Sequence, residues 1–448
     1  MNLKYDVVVV GAGVAGCLAS YKLAKAGFKV ALLERKPENH IGEKVCGDGI
    51  GSHHFKNIGL EEPRVGIEAT CLFKGVKVYA PNEEDFIIVP GEGYALNRYV
   101  FGQKLLKMAL DAGVELYDEV YAGKPIVEES WVKGVKAFEK GCLREFYAKA
   151  IVDASGAIPA IRLKLPEEWW VSEKVRREDY VICYREILEL DNEVDSDYAA
   201  VFLSSKIAPG GYWWLFPKGG NVVNVGLGLQ WKSDAPNPKK QYDEYVRSRF
   251  KVVKVVHGGG GIAPSRRSIS CMVWNGFISV GDSVCTTNPI HGGGIGSGML
   301  SAKLAAEALE EALMIGDASI EKLWSYHKKY MKAYGAKQAV LDIVRIYLQH
   351  LEDRDFNFLL SRNLLGGIDL KDIAQHGKLS GKVLTGISVF VKLLSKPSLL
   401  TKISILKRYM DKTWKHYLEY PESPKDFEKW KKEGDAIFES FKKALNLK

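Results

Sequence analysis

No apolar run in this chain reaches the roughly 18–20 residues needed to cross a bilayer, so a membrane-spanning protein is excluded. Cysteine is sparse and shows no pairing pattern. The seven residues Cys17, Cys46, Cys71, Cys142, Cys183, Cys271 and Cys285 include no CxxC spacing. An odd, scattered set argues against a disulfide scaffold and against a zinc or iron–sulfur site, and it suits a reducing cytoplasm. No metal is therefore expected. Internal repeats and low-complexity tracts are missing, which argues against a solenoid or a disordered linker protein. The first residues run directly into Asp6-Val-Val-Val-Val-Gly-Ala-Gly13, so no cleavable signal is expected.

What is present suits a soluble globular chain of more than one core. At 448 residues, two or three domains are expected. Hydrophobic residues at 46% and charged residues at 26% exclude a collagen-like or coiled-coil sequence. The formal net charge of +8 fits an anionic partner, a membrane surface or a phosphorylated substrate. No nucleic-acid partner is expected.

Residues 5–34 read as one β-α-β unit. Asp6–Val10 is a short Val-rich run, as expected of a strand buried on both faces of a parallel sheet. Gly11-Ala-Gly13-Val-Ala-Gly16 follows, then helical spacing to Ala26, then a second strand that ends at Glu34. In such a turn Gly11 makes the bend, Gly13 lets backbone approach a pyrophosphate, and Gly16 lets helix and strand pack. The helix N-terminus offers free N–H groups and partial positive charge to the phosphates. Glu34 stands 23 residues after Gly11 and can accept from ribose hydroxyls. FAD and NAD share this fingerprint. A second motif points to the flavin. Gly276–Asp282 reads as a buried strand ending in Gly-Asp, and Asn288-Pro-Ile-His-Gly-Gly-Gly-Ile-Gly296 precedes another helix. Asp282 suits a ribityl hydroxyl, and a second helix N-terminus suits the flavin edge that becomes negative on reduction.

Residues 180–267 alternate as an antiparallel sheet does. Tyr212, Trp214 and Phe216 alternate and so share one face of a strand. On spacing alone this is a core aromatic stripe. Cys46 reads on its own as a small buried hydrophobe. His257-Gly-Gly-Gly-Gly261 precedes no helix, and a structural hairpin or crossing is expected there. From about residue 320 the chain reads as helical and Lys-rich. Leu399, Ile403, Leu406 and Met410 fall on one helical face, with Lys402 and Lys407 off it, and Val389–Leu394 also mixes apolar and basic residues.

The two cofactor motifs, together with Asp153-Ala-Ser-Gly156, resemble the FAD-dependent family typified by para-hydroxybenzoate hydroxylase. Within it the sequence is similar to the archaeal geranylgeranyl reductases. That likeness rests on Lys44-Val-Cys46-Gly-Asp-Gly-Ile50, on Tyr212-Trp-Trp214-Leu-Phe216-Pro-Lys218 with Gly226-Leu-Gly228, and on the Asn288–Gly298 loop. It spans residues 1 to about 420. The resemblance implies an α/β FAD-binding Rossmann-like domain, an antiparallel-sheet substrate domain and a C-terminal helical region. The expected ranges are 1–65, 92–165 and 268–320 for the first, 66–91 and 166–267 for the second, and 321–448 for the third. FAD contacts carry over to Ala15, Glu34, Val45, Cys46, Gly47, Arg98, Ala122, Asp282, Gly294 and Ile295. Cys46 becomes a candidate catalytic thiol. Tyr212, Trp214, Phe216, Pro217, Gly226 and Gly228 become substrate-binding residues. The implied reaction saturates isoprenoid double bonds of archaeal membrane-lipid precursors by hydride plus a proton. The substrate is then an isoprenoid lipid, with ferredoxin or NAD(P)H as electron donor. A monomer is expected in the cytoplasm, resting peripherally on an anionic membrane. A flavin monooxygenase or halogenase of the same superfamily is the alternative, although a halogenase would show Trp-x-Trp-x-Ile-Pro where this chain has Tyr-x-Trp-x-Phe-Pro. An electron-transfer flavoprotein is the alternative of another class; its relatives carry cysteines near the C-terminus, and none follows Cys285.

Overall fold

The computed structural model describes residues 3–362 and 397–446. Valine and isoleucine runs build the centre of the first sheet. Strand β1 (Leu3–Val10) lies between β2 (Val30–Leu33) and β9 (Cys142–Asp153), parallel to both. Val7, Val8 and Val9 have no exposed surface, as a strand covered on both faces requires. Parallel pairing extends outward to β6 (Glu115–Tyr117) beside β2 and to β16 (Phe277–Ser279) beside β9, and the short β15 (Val273–Trp274) closes that edge antiparallel to β16. A meander of β7 (Val120–Glu128) and β8 (Trp131–Glu139) joins β9 antiparallel. The helices Val14–Lys25 and Arg98–Asp111 follow β1 and precede β6, completing the α/β layer.

A second sheet has the order β14-β10-β13-β12-β11-β4-β5-β3. Its strands are β3 (Gly49–Gly51), β4 (Ala69–Tyr79), β5 (Phe86–Leu96), β10 (Tyr180–Leu190), β11 (Tyr198–Phe202), β12 (Tyr212–Pro217), β13 (Val222–Gln230) and β14 (Val252–Pro264). All pairings are antiparallel except β11 with β4. Two segments enter this sheet from inside the ranges expected for the nucleotide domain: Gly49–Gly51, and the end of β5 beyond residue 91.

The stretch His257–Gly261 is neither a hairpin nor a crossing. It lies within the 13-residue strand β14, paired with β10 from His257 opposite Ile187 to Gly261 opposite Cys183. The glycines have a steric reason: a Cβ on Gly259 would stand 2.8 Å from the Val45 side chain, so the loop carrying Cys46 can lie against bare backbone.

The C-terminal helices pack on other helices: Pro397–Leu418 lies against Ala336–Leu348 and Phe427–Ala444. In the helix Pro397–Leu418, Leu399, Leu406 and Met410 are buried in the same core as β1 and the helix Ile295–Met314, while Ile403 packs against it half-buried. Lys402 and Arg408 are exposed, and Lys407 pairs with Asp411 at 3.4 Å. The expected apolar face is therefore spent on the core. Val389–Leu394 lies outside the described residues. No helix among the described residues is long and apolar enough to cross a membrane.

Candidate functional site

The first cofactor motif forms the turn from β1 into the helix Val14–Lys25. Gly11 takes φ 100°, in the left-handed region that glycine adopts freely. A Cβ on Gly16 would sit 1.8 Å from the Gly11 carbonyl oxygen, so helix and strand meet only because that atom is missing. Gly13 caps the helix with no side-chain hydrogen bond, and a Cβ there would meet nothing within 4 Å. The helix N-terminus thus opens onto free space with its N–H groups unspent. One Glu34 oxygen accepts from Ala12 N at 2.7 Å and the other from Lys36 N at 3.0 Å. Each keeps a lone pair for a hydroxyl.

The second motif folds back onto the first. A Cβ on Gly281 would lie 3.3 Å from the Ala15 side chain, which brings Asp282 beside the first turn. The Asp282 carboxylate accepts from Thr287 Oγ1 at 2.8 Å and faces Lys44 Nζ at 3.6 Å. Gly294 caps the helix Ile295–Met314, again without a side-chain hydrogen bond. Asp153, the first residue of the Asp153-Ala-Ser-Gly156 motif, ends β9. It is fully buried and accepts from Ser155, Ile161 and Arg162 backbone N–H groups and from the Ser155 hydroxyl, so it is a structural anchor for the loop beside Gly11.

Arg98 opens its helix, and its Nε and Nη1 are buried without a partner. Such donors call for an acceptor from outside the chain. Together with two uncapped helix ends and a glycine cradle, they fit the pyrophosphate and ribityl chain of FAD. Ala122 is buried in β7, opposite Ala137 of β8, and offers backbone only.

The loop 44–50 joins this cradle to the second sheet. Asp48 holds φ 63°, rare for a residue with a Cβ, and its side chain is the hub of a buried network. Its carboxylate accepts from the Cys46 thiol at 2.9 Å, from Lys218 Nζ at 3.1 Å and from Asn224 Nδ2 at 3.0 Å. Asn224 also donates to the Cys46 carbonyl at 2.8 Å, and its Oδ1 accepts from Trp214 Nε1 at 3.0 Å. Lys218 donates to the Leu96 carbonyl at 2.9 Å. Burial pushes the Cys46 thiol up to about 11, and the Asp48 charge adds to it while Arg98 opposes it. Cys46 is therefore a protonated thiol at neutral pH.

Tyr212, Trp214 and Phe216 do share one face. Their rings run in line, Tyr212 to Trp214 at 6.1 Å and Trp214 to Phe216 at 6.0 Å. Gly226 and Gly228 lie opposite Trp214 and Tyr212 on β13. A Cβ on Gly226 would stand 2.6 Å from the Trp214 ring, so the wall lies flat on bare backbone. Across the gap, a Cβ on Gly47 would be 3.0 Å from Phe216. Tyr212 donates to the His291 carbonyl at 2.7 Å, which ties the wall to the second cofactor loop. Pro217 is buried and its carbonyl accepts from Cys71 at 3.1 Å. The site thus brings together the Cys46 loop, the aromatic wall and both cofactor turns. Asp48, Asn224 and the buried role of Lys218 were not legible as site features.

A Rossmann-like layer with two open helix ends, joined to a second sheet whose aromatic face meets the cofactor loops, defines an FAD-dependent oxidoreductase. Comparison narrows the class. Residues 179–262 match the family described as geranylgeranyl reductase catalytic domain, and residues 6–62 that described as glucose inhibited division protein A. Digeranylgeranylglycerophospholipid reductase of Sulfolobus acidocaldarius is 39% identical over 99% of this chain and 100% of its own length. The protein of that name from Methanosarcina acetivorans is 32% identical over 79% of this chain and 87% of its own. The crystal structure of a geranylgeranyl bacteriochlorophyll reductase-like protein from Thermoplasma acidophilum superposes with a TM-score of 0.75 at 25% identity, over 91% of this chain and 100% of that one. The myxobacterial chondrochloren halogenase shares the fold, with a TM-score of 0.62 at 17% identity over 88% of this chain and 97% of its own. The chain belongs to the digeranylgeranylglycerophospholipid reductase family.

Proposed function

We propose that this chain saturates the double bonds of geranylgeranyl chains carried by archaeal membrane-lipid precursors, with FAD as its cofactor. The observation that carries this reading is the meeting of the Tyr212–Trp214–Phe216 wall with the Cys46 loop beside the cofactor cradle. An isolated alkene is a poor hydride acceptor, so saturation needs hydride on one carbon and a proton on the other. Bound, reduced FAD supplies the hydride.

The chain's own residues do the rest. Gly11, Gly13 and Gly16 shape the pyrophosphate turn, and Arg98 answers the cofactor's acceptors through Nε and Nη1. Asp282 and Glu34 take hydroxyls. Trp214 is held by Asn224 through its Nε1–H, which fixes the ring face presented to the substrate. Electron-rich faces stabilise the positive charge that develops as the alkene is protonated. Phe216 closed against Gly47 keeps water from that charge. Cys46 holds a proton on Sγ at neutral pH, bonded to Asp48, and is placed as a neutral donor beside the site. The halogenase and monooxygenase alternative rests on fold alone.

The same proposal includes ferredoxin or NAD(P)H as electron donor, a monomer, and a peripheral seat on an anionic membrane. Exposed Lys402 and Arg408 support the last of these by charge, with the apolar side of their helix turned into the core. Flotation with anionic vesicles tests it: binding should fall with salt and fall again when both residues become Gln, and indifference to both would remove it. The activity itself is tested by mass spectrometry of a geranylgeranyl lipid incubated with the reduced holoprotein. Gain of two hydrogens per double bond is expected, and an unchanged mass would refute it.

A further inference from the structure

One buried cation on the aromatic face has no carboxylate to answer it. Arg185 stands on β10 between two glycines, Gly226 of β13 and Gly259 of β14. Trp214 is opposite Gly226 on the far side, so Arg185 and Trp214 share a face of the sheet. Arg185 is only 5% exposed. Its Nη1 donates to His257 Nδ1 at 2.7 Å and reaches the His257 carbonyl at 3.5 Å, while Nε is buried with no partner. Its neighbour Glu186 serves the opposite face, where it accepts from Tyr184 and Tyr242 and pairs with Arg247 at 3.5 Å. Among the described residues Arg98 also holds unpartnered buried donors, but it stands at the cofactor cradle, and the other buried arginines are answered. Arg266 meets Glu173 and Asp179, Arg345 meets Asp179 and Asp342, and Arg162 ends on the carbonyls of Ser283, Val171 and Glu173.

Burying a charge without a counter-charge is among the costliest arrangements a fold can hold. A guanidinium left this way on a substrate-facing surface is matched to an anion that arrives with the ligand. Because arginine only donates, His257 accepts through Nδ1 and carries its proton on Nε2. It is exposed, and so offers a second donor at the edge of the sheet. Both cross-strand neighbours of Arg185 lack side chains, which leaves its flank bare except where Val45 of the Cys46 loop packs on Gly259. The cation thus sits beside the loop that carries the thiol.

We propose that Arg185, with His257, forms an anion subsite that takes the phosphate of an isoprenoid phosphoester and so sets which double bond stands at the Cys46 loop. This rests on the reductase reading above. The test compares geranylgeranyl diphosphate with geranylgeraniol on the anaerobically reduced holoprotein. Wild type should favour the diphosphate and saturate one double bond first. Arg185→Gln should lose about ten- to a hundredfold in kcat/KM for the diphosphate, stay within about twofold for the alcohol, and scramble the order of saturation. Arg185→Lys should recover part of the preference. An equal fall for both substrates, or no change for either, would overturn the subsite. A binding arm separates this from the reductase reading. Calorimetry with geranylgeranyl diphosphate and with inorganic pyrophosphate should show binding to wild type that Arg185→Gln loses, even if neither substrate were reduced. Pyrophosphate that binds both proteins alike would assign the anion to another place. Should Arg185→Gln not fold, His257→Leu takes its place in both arms, with a smaller loss of the same sign expected and unchanged preference and binding counting against the subsite.

Discussion

Replacing Asp48 by asparagine removes one charge from a buried network and leaves its shape nearly intact. The carboxylate faces Lys218 across 3.1 Å, with side chains only 4% and 11% exposed. Losing one member of so buried a pair leaves the other uncompensated, at a cost of about 3–5 kcal/mol in stability. The double variant Asp48→Asn with Lys218→Met removes both charges and should lose clearly less than the sum of the two single changes. The thiol reports the same charge independently. Burial is the larger cause of the raised Cys46 value of about 11, and Asp48 is the next. Taking away a negative neighbour favours the thiolate, so the value should fall in Asp48→Asn toward the ordinary 9.0 while staying above it. Iodoacetamide labelling of Cys46 against pH, read by peptide mass spectrometry, measures this; denaturant unfolding measures the pair. A labelling midpoint that is unchanged or higher, or strictly additive stability losses, would refute the network as drawn.

Other expectations follow from the same geometry. Asp282→Ala and Glu34→Arg should each release FAD more readily, by about tenfold or more in dissociation constant, seen as loss of flavin absorbance on dialysis. Cys46→Ala should keep FAD yet slow saturation or stop it at fewer double bonds, whereas Cys142→Ala, at the exposed start of β9, should do neither; equal product profiles for the two would reduce Cys46 to packing. Gly226→Ala places a Cβ 2.5 Å from the Arg185 Cβ and 2.6 Å from Trp214, and should cost about 1–3 kcal/mol in stability and displace the wall, lowering activity with flavin retained. Because the folded Cys46 value lies above the unfolded one, its proton stabilises the fold fully below pH 9.0, and that contribution drains away as pH rises toward about 11. Cys46→Ser should therefore lose less stability than wild type across that alkaline window, and an equal loss would contradict the sign.

The cofactor half of the site was legible because its constraints are local. Gly11 and Gly16 are demanded by backbone contacts within one turn or between two short loops, Gly281 by its positive φ beside Ala15, and each leaves a mark in the sequence. The alternation of Tyr212, Trp214 and Phe216 fixed their common face in the same way. The Asp48 hub was not legible, because Cys46, Lys218 and Asn224 converge on it only through the pairing of β12 with β13 and the approach of the loop 44–50. His257–Gly261 was misread for a related reason. Four glycines argue against a strand by propensity, and only the packing of Val45 on Gly259 explains why they lie inside one. On the helix Pro397–Leu418 the buried face followed from spacing, but what covers it depends on tertiary contacts that no spacing shows.

The central claim is that the flavin of this chain delivers its electrons to an isoprenoid double bond. Anaerobic reduction of the purified holoprotein, followed by mixing with a geranylgeranyl phospholipid, tests it most directly. Flavin absorbance should return as the lipid gains two hydrogens for each flavin reoxidised. A flavin that stays reduced with the lipid, and reoxidises only when oxygen and an aromatic substrate are supplied, would contradict the account and favour an oxygen-using enzyme of the same fold.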